Sequence, residues 1–127
     1  MQCQEYRVIT LNVNGLHNPI KRGKVIAKMK KEKLHVMFWQ ETHLNDMEHE
    51  KLKKLGFKNT FYSSYKKGKR RGVAILISNR VNFQLVSTFC DSEGRYVLVK
   101  GYLDQKEVTL VNVYNPPGHN NGIRDSN

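Results

Sequence analysis

The sequence predicts a mixed α/β domain in which one βαβ unit is followed by a run of antiparallel strands. Three observations carry this reading: an alternating, β-branched stretch at residues 6–14, a capped helical pattern just after it, and five further strand-like segments from residue 57 onward. With 127 residues and 39% hydrophobic content, the chain has enough apolar material for one modest core.

The elements follow in order. Residues 6–14 (YRVITLNVN) suit a strand, and Gly15 breaks it. Asn18-Pro19 then reads as an N-cap and a first helical residue, since Asn accepts orphan amide bonds and proline has no amide to satisfy. A basic helix over residues 19–33 results, with Val25, Ile26 and Met29 as its inner face. The short apolar run 35–40 (HVMFWQ) fits a buried strand, so the unit is βαβ and its two strands are parallel. Asn45 with Glu48 three residues on resembles a capping box, opening a second helix that closes near Leu55-Gly56. Beyond it come FKNTFYSSY, GVAILIS, FQLVSTF, RYVLVKGYL and VTLVNVY, with hairpin loops expected at Asp91–Gly94 and Asp104–Lys106. The segment 118–127 has one large apolar residue, Ile123, and is expected to be a disordered tail.

Charge narrows the class of partner. The formal net charge is +11, and two stretches concentrate it: residues 21–33 hold seven Lys/Arg against Glu32, and residues 66–71 (KKGKRR) hold five with no acid. Such clusters favour a polyanion, although solvated faces are the commoner reason for charge runs. Lys21, Arg22, Lys24, Lys66, Lys67, Lys69, Arg70 and Arg71 are the candidate nucleic-acid contacts. No apolar run approaches the roughly 18 to 20 residues of a membrane helix, and no apolar leader opens the chain, so an intracellular protein without a membrane partner is expected. Cys3 and Cys90 have neither the number nor the spacing of a disulfide or zinc framework and read as reduced thiols.

Polar side chains at the ends of buried strands are where chemistry is expected, because the sheet gives rigid support while its edge opens to ligand. Three places stand out. In Leu11–Gly15 the period of two puts Asn12 and Asn14 on one face; finishing the strand and starting a turn is the plainer explanation. Glu41 follows the run Val36–Trp39, where a carboxylate either faces solvent or binds a cation such as Mg²⁺. Tyr114 stands before Asn115-Pro116-Pro117 and shares a face with Asn112; an aromatic there is more often packing than a phosphate contact.

Taken together, TLNVNGL, QETHL, RRGVAILIS and NVYNPP resemble the endonuclease/exonuclease/phosphatase superfamily, and within it the apurinic-type endonuclease domain of the LINE retrotransposon reverse-transcriptase protein. The likeness runs from Tyr6 to Pro117 and includes the connecting segment IKRGKVIAKMKK. It implies the first half of a four-layered α/β sandwich, with one sheet face lacking its cover and so open to self-association. It also implies Mg²⁺ as cofactor, DNA as partner and no small-molecule cofactor. By the same resemblance Glu41 is the metal-binding carboxylate, Asn12 lies beside the metal, and Tyr114 is the tyrosine near the scissile phosphate. Asn14 stands where related enzymes often carry aspartate.

Two departures qualify the expectation. The family's later motifs, a Gly-Asp-Phe-Asn type and a late Asp-His pair, are not in this sequence, and only His119 and Asp125 in the polar tail are of the right kind. Tyr114 is also followed by Asn-Pro-Pro where the retrotransposon pattern has Ala-Pro-Asn. A domain of residues 1–117, truncated and inactive by itself, is therefore expected. A non-enzymatic basic module that only binds nucleic acid is the alternative. Another branch of the superfamily, acting on lipid or inositol phosphates, stays open but fits the basic charge less well.

Overall fold

The structure, a computed structural model, describes residues 5–114. Cys3, the expected tail at 118–127 and its His119 and Asp125 lie outside the described residues.

The chain opens with β1 (Val8–Asn12) and crosses through α1 (Pro19–Lys31) to β2 (Val36–Gln40). The expected caps are present: the Asn18 side chain accepts from the amides of Ile20 and Lys21, Pro19 occupies the first turn, and Lys28, Lys30 and Lys31 close the last turn, where cations suit the helix dipole. The capping box is also present, with Asn45 and Glu48 bonded reciprocally at the start of α2 (Asp46–Lys51). A 3₁₀ turn, Leu52–Leu55, continues the helix and ends on Gly56 at φ 104°. Five strands follow: β3 (Asn59–Ser63), β4 (Val73–Ile77), β5 (Phe83–Cys90), β6 (Tyr96–Leu103) and β7 (Lys106–Val113).

These strands form two sheets. The first has the order β1-β2-β4-β3, with β1 and β2 parallel as the βαβ reading requires and β4 antiparallel to both β2 and β3. The second is the meander β5-β6-β7. Its tight turn, Asp104-Gln105, has both residues at positive φ (48° and 71°), the geometry of a two-residue hairpin loop matched to strand twist.

Alternation divides the core. Met37, Trp39 and Leu76 point to the helices and pack with Ile26, Met29 and Leu52. Val36, Ile75 and Ile77 point to the second sheet and meet Phe83, Val97, Val99 and Leu103. Because β4 is covered on both faces, all five of its residues are buried, as its unbroken apolar sequence VAILI anticipates. Val73, Ile75, Leu76 and Ile77 each contribute about 1.5 to 3 kcal/mol by leaving water.

Among the described residues the second sheet is covered on one face only. Its outer face carries Phe89, Leu98 and Val111 side by side across three strands, with Tyr96 beside Val113 in the next row. Phe89 and Val113 are 55% and 56% exposed, and both described helices lie against the other sheet. Among the described residues no helix is long and apolar enough to cross a membrane.

One local expectation fails. The first strand ends at Asn12, and Asn14 and Gly15 both adopt left-handed conformations (φ 52° and 86°), so the period of two does not reach Asn14. Asn12 and Asn14 consequently do not share a face.

Candidate functional site

The C-terminal ends of β1, β2 and β7 meet at an open cleft of ≈ 550 Å³. Asn12, Glu41 and Tyr114 all line it, together with Thr10, Gln40 and Asn112. Consecutive residues 111–114 line it too, so the cleft runs along the edge of β7 that pairs with no other strand among the described residues.

Glu41 sits on a tightly held piece of backbone. On one side its carbonyl accepts from Gly15 N–H (2.7 Å) and that of Thr42 accepts from Leu16 N–H (2.8 Å). On the other side Thr42 N–H donates to Gly72 (3.0 Å) and His43 N–H to Arg71 (2.8 Å). Segment 41–43 thus extends the first sheet beyond β2, with the loop after β1 and the loop before β4 as its flanks. Strain collects here: Glu41, His43 and Arg71 have φ of 54°, 59° and 58° although none is glycine. Left-handed backbone costs about 1 to 2 kcal/mol in an L-residue and persists where surrounding contacts enforce it, a pattern typical of functional sites. Gly15 is required as glycine, because a Cβ would lie 2.7 Å from His43 Nδ1.

Beneath this segment lies a buried polar core. His49 is fully buried, one ring nitrogen 2.9 Å from Thr42 Oγ1 and the other 2.9 Å from Ser64 Oγ, with Tyr62 stacked on its ring at 4.7 Å. Burial pushes the His49 imidazole down to about 4, so at neutral pH it is an uncharged link between α2, segment 41–43 and the end of β3.

Within the cleft, Asn12 Nδ2 donates to Glu41 Oε2 (3.1 Å), and Asn12 Oδ1 accepts from the Asn14 amide (2.9 Å). Asn12 therefore orients the carboxylate. His43 Nε2 lies 3.7 Å from the other carboxylate oxygen. Tyr114 borders the cleft from the second sheet, its amide bonded to the Arg95 carbonyl. Asn112, on the same face as Tyr114, lines the cleft but is itself buried: its Nδ2 donates to the carbonyls of Trp39 (2.8 Å) and Ala74 (2.9 Å). Asn14 does not line the cleft; its carbonyl accepts from Lys21 Nζ (3.1 Å).

Gln40 is the residue that sequence reasoning passed over. Its Nε2 donates to Asn112 Oδ1 (2.7 Å) and Thr10 Oγ1 (2.9 Å), tying β1, β2 and β7 together under Glu41. Its place on the face of Val36 and Phe38, toward the second sheet, was the available signal. His43 was likewise visible only as part of the string QETH.

Magnesium suits the side chains in one limited respect. Glu41 is a mostly buried carboxylate fixed by an amide, and Mg²⁺ is held in proteins by as few as one carboxylate while it keeps several waters. Among the described residues no group of three or more His, Cys, Asp or Glu could form a closed protein cage.

The basic residues divide into fixed and free. Lys21 and Arg22 hold the loop after β1 through the carbonyls of Asn14 and Leu16, Lys66 pairs with Asp46, and Arg71 pairs with Glu93 and covers the Tyr65 ring at 4.4 Å. Arg70 donates to the Tyr65 hydroxyl. Lys24, Lys67 and Lys69 are exposed and form no ion pair among the described residues. Both clusters adjoin loops that flank segment 41–43, so they stand on either side of Glu41.

Residues 9–126 match the Endonuclease/Exonuclease/phosphatase family. The fold is similar to the AP endonuclease LMAP from Leishmania major, 26% identical with a TM-score of 0.64 over 86% of this chain and 40% of that one. It is similar to an AP endonuclease from Archaeoglobus fulgidus, also 26% identical, with a TM-score of 0.55 over 85% and 40% of the two chains. A 3′-5′ exonuclease, NExo, from Neisseria meningitidis shares the fold at 23% identity and a TM-score of 0.54, over 84% and 40%. The chain spans 40% of the length of each of these structures.

Proposed function

The chain belongs to the endonuclease/exonuclease/phosphatase family, and on that premise we propose that it corresponds to the N-terminal part of a Mg²⁺-dependent DNA endonuclease of the LINE retrotransposon type, acting inside the cell. The observation that carries this reading is the Asn12–Glu41 contact, held on strained backbone and lining one open cleft with Tyr114. Motifs TLNVNGL, QETHL and NVYNPP, which carry the retrotransposon likeness, supply these same residues.

Mg²⁺, when bound, supplies Lewis-acid stabilisation of the charge that builds on a phosphodiester under attack. Glu41 is the residue to hold it, Asn12 fixes one carboxylate oxygen, and Tyr114 offers a hydroxyl to phosphate in the same cleft. Lys24, Lys67 and Lys69 draw the DNA backbone over the rim. The groups that the family uses as general base and orienting partner have no counterpart in residues 5–114, so this chain alone holds metal and DNA without turning the bond over. Loss of such a pair lowers rate by orders of magnitude even where the rest of a site persists.

A purely binding module is the second reading, and the free lysines favour it. Anisotropy of a labelled DNA duplex separates the two when read with and without Mg²⁺. Both readings expect affinity to fall roughly 10- to 100-fold between 50 and 200 mM salt, and Lys67→Ala with Lys69→Ala to flatten that slope. Only the nuclease-derived site expects Mg²⁺ to change DNA binding in the native chain and not in Glu41→Ala. Identical Mg²⁺ responses from both proteins sink it.

We extend the proposal to the bare outer face of the second sheet, whose apolar row Phe89, Leu98 and Val111 suits association with a second copy.

A further inference from the structure

At the end of the first sheet opposite the cleft, a pocket of ≈ 400 Å³ opens between the C-terminus of α1 and the turn after β4. Its floor is apolar, formed by buried Phe57 and half-buried Leu34. Lys30, Lys33 and Arg80 stand around it. None of the three forms an ion pair among the described residues, and no Asp or Glu lines the pocket. The groove along β3 and β5 differs, since its Lys66 pairs with Asp46 and its Lys53 with Glu50.

The backbone turns and one hydrogen bond bring these cations to one rim. Lys30 lies across Gly56, where a Cβ would come within 3.1 Å of its Cε. Lys33 leaves the helix at φ 55°. Arg80 Nη2 donates to the Leu34 carbonyl (3.3 Å), and its turn is fixed by Asn79 N–H to Gly56 (3.0 Å) and Lys58 N–H to Asn79 Oδ1 (2.8 Å). The helix dipole accounts for lysines at the end of α1. It does not account for Arg80, which a separate turn brings to the same rim. His35, next along the chain, registers the local potential: burial first, then the charges of Arg80 and Arg7, hold its imidazole below the ordinary value.

We propose that this pocket binds a small organic phosphate, with its phosphoryl group on Lys30, Lys33 and Arg80 and a flat apolar body on Phe57 and Leu34. Its volume falls within the range of small-molecule sites. Three unpaired cations suit a dianion, and the guanidinium fork suits phosphoryl oxygens. The recessed apolar floor suits a compact aromatic better than a nucleic-acid backbone, which offers only charge at its outer surface. The site is independent of the nuclease reading, because the five residues of β2, about 17 Å of strand, separate Leu34 from Glu41.

Titration of the full chain with 1-naphthyl phosphate, followed by amide chemical shifts, tests the proposal. Expected are saturable shifts centred on Gly56 and residues 78–80, binding at least tenfold weaker for 1-naphthol and for inorganic phosphate alone, and a similar loss in the Lys33→Gln/Arg80→Gln double variant at an unchanged unfolding midpoint. The Glu41→Ala protein binds as the native chain does. Equal binding of 1-naphthol, shifts spread evenly over α1 and residues 66–71, undiminished binding by the double variant, or displacement of the probe from these amides by a DNA duplex each overturns it.

Discussion

In β4 every residue from Val73 to Ile77 is buried, whereas in β7 Asn112 alone is. Helices lie on one side of the first sheet and the second sheet lies on the other, but the second sheet has nothing over its outer face among the described residues. The two sheets therefore do different work. The first is packed on both faces and positions Asn12 and Glu41. The second supplies Tyr114 from an open edge, steadied mainly because Asn112 reaches down to the carbonyls of Trp39 and Ala74.

The sharpest way to break that contrast is to truncate one apolar residue in each sheet. Leu76→Ala, in a fully buried site, is expected to cost about 3 to 4 kcal/mol, and Val111→Ala, 48% exposed before truncation, no more than about 0.5 kcal/mol. Urea unfolding midpoints read the difference; comparable losses would mean the second sheet is as well packed as the first.

Next in size is acid sensitivity of the first sheet. His49 titrates at about 4 when folded and near 6.5 when unfolded, so between these values the unfolded chain takes up a proton that the folded chain refuses. Its contribution is complete above pH 6.5, declines as pH falls, and is gone near pH 4, a loss on the order of 3 kcal/mol. His49→Gln should flatten the stability profile across that window. An unaltered profile would take His49 out of the account.

Smaller still is the effect at the strained strand end. Glu41→Gly relieves left-handed backbone and forfeits the Asn12 hydrogen bond, for a net gain of about 0.5 kcal/mol, with loss of the Mg²⁺ response that the proposed site requires. A destabilised glycine variant would show that the positive φ carries no strain. Least in stability is Val111→Lys, within about 0.5 kcal/mol, yet if the proposed pairing through this face holds, light scattering should show a smaller mass for the variant than for the native chain. Identical masses for the two proteins would remove the outer face as a contact surface.

Local signals made much of this fold legible. The caps at Asn18 and Asn45, the stop at Gly56 and the apolar run Val36–Trp39 act within a few residues, so the elements emerge from the chain itself. Asn12, Glu41 and Tyr114 were legible as strand ends, and the structure brings them to one cleft. What stayed hidden depends on partners far along the chain. Gln40 gains its role from Asn112, whose own amide is anchored on the Trp39 carbonyl, 73 residues away in the chain. Lys21 and Arg22 look like free cations until the loop after β1 folds back to accept their hydrogen bonds. The order β1-β2-β4-β3 likewise follows from pairing that no single segment encodes.

A single gel tests the central claim most directly: supercoiled plasmid incubated with the native chain and with Glu41→Ala, in Mg²⁺ and in chelator, over a range of salt. The account predicts plasmid that is retarded, increasingly released as salt rises, and un-nicked in every lane. Nicks that require Mg²⁺ and vanish with Glu41→Ala would make this chain an enzyme in its own right, and plasmid that runs unretarded at low salt would remove DNA as its partner.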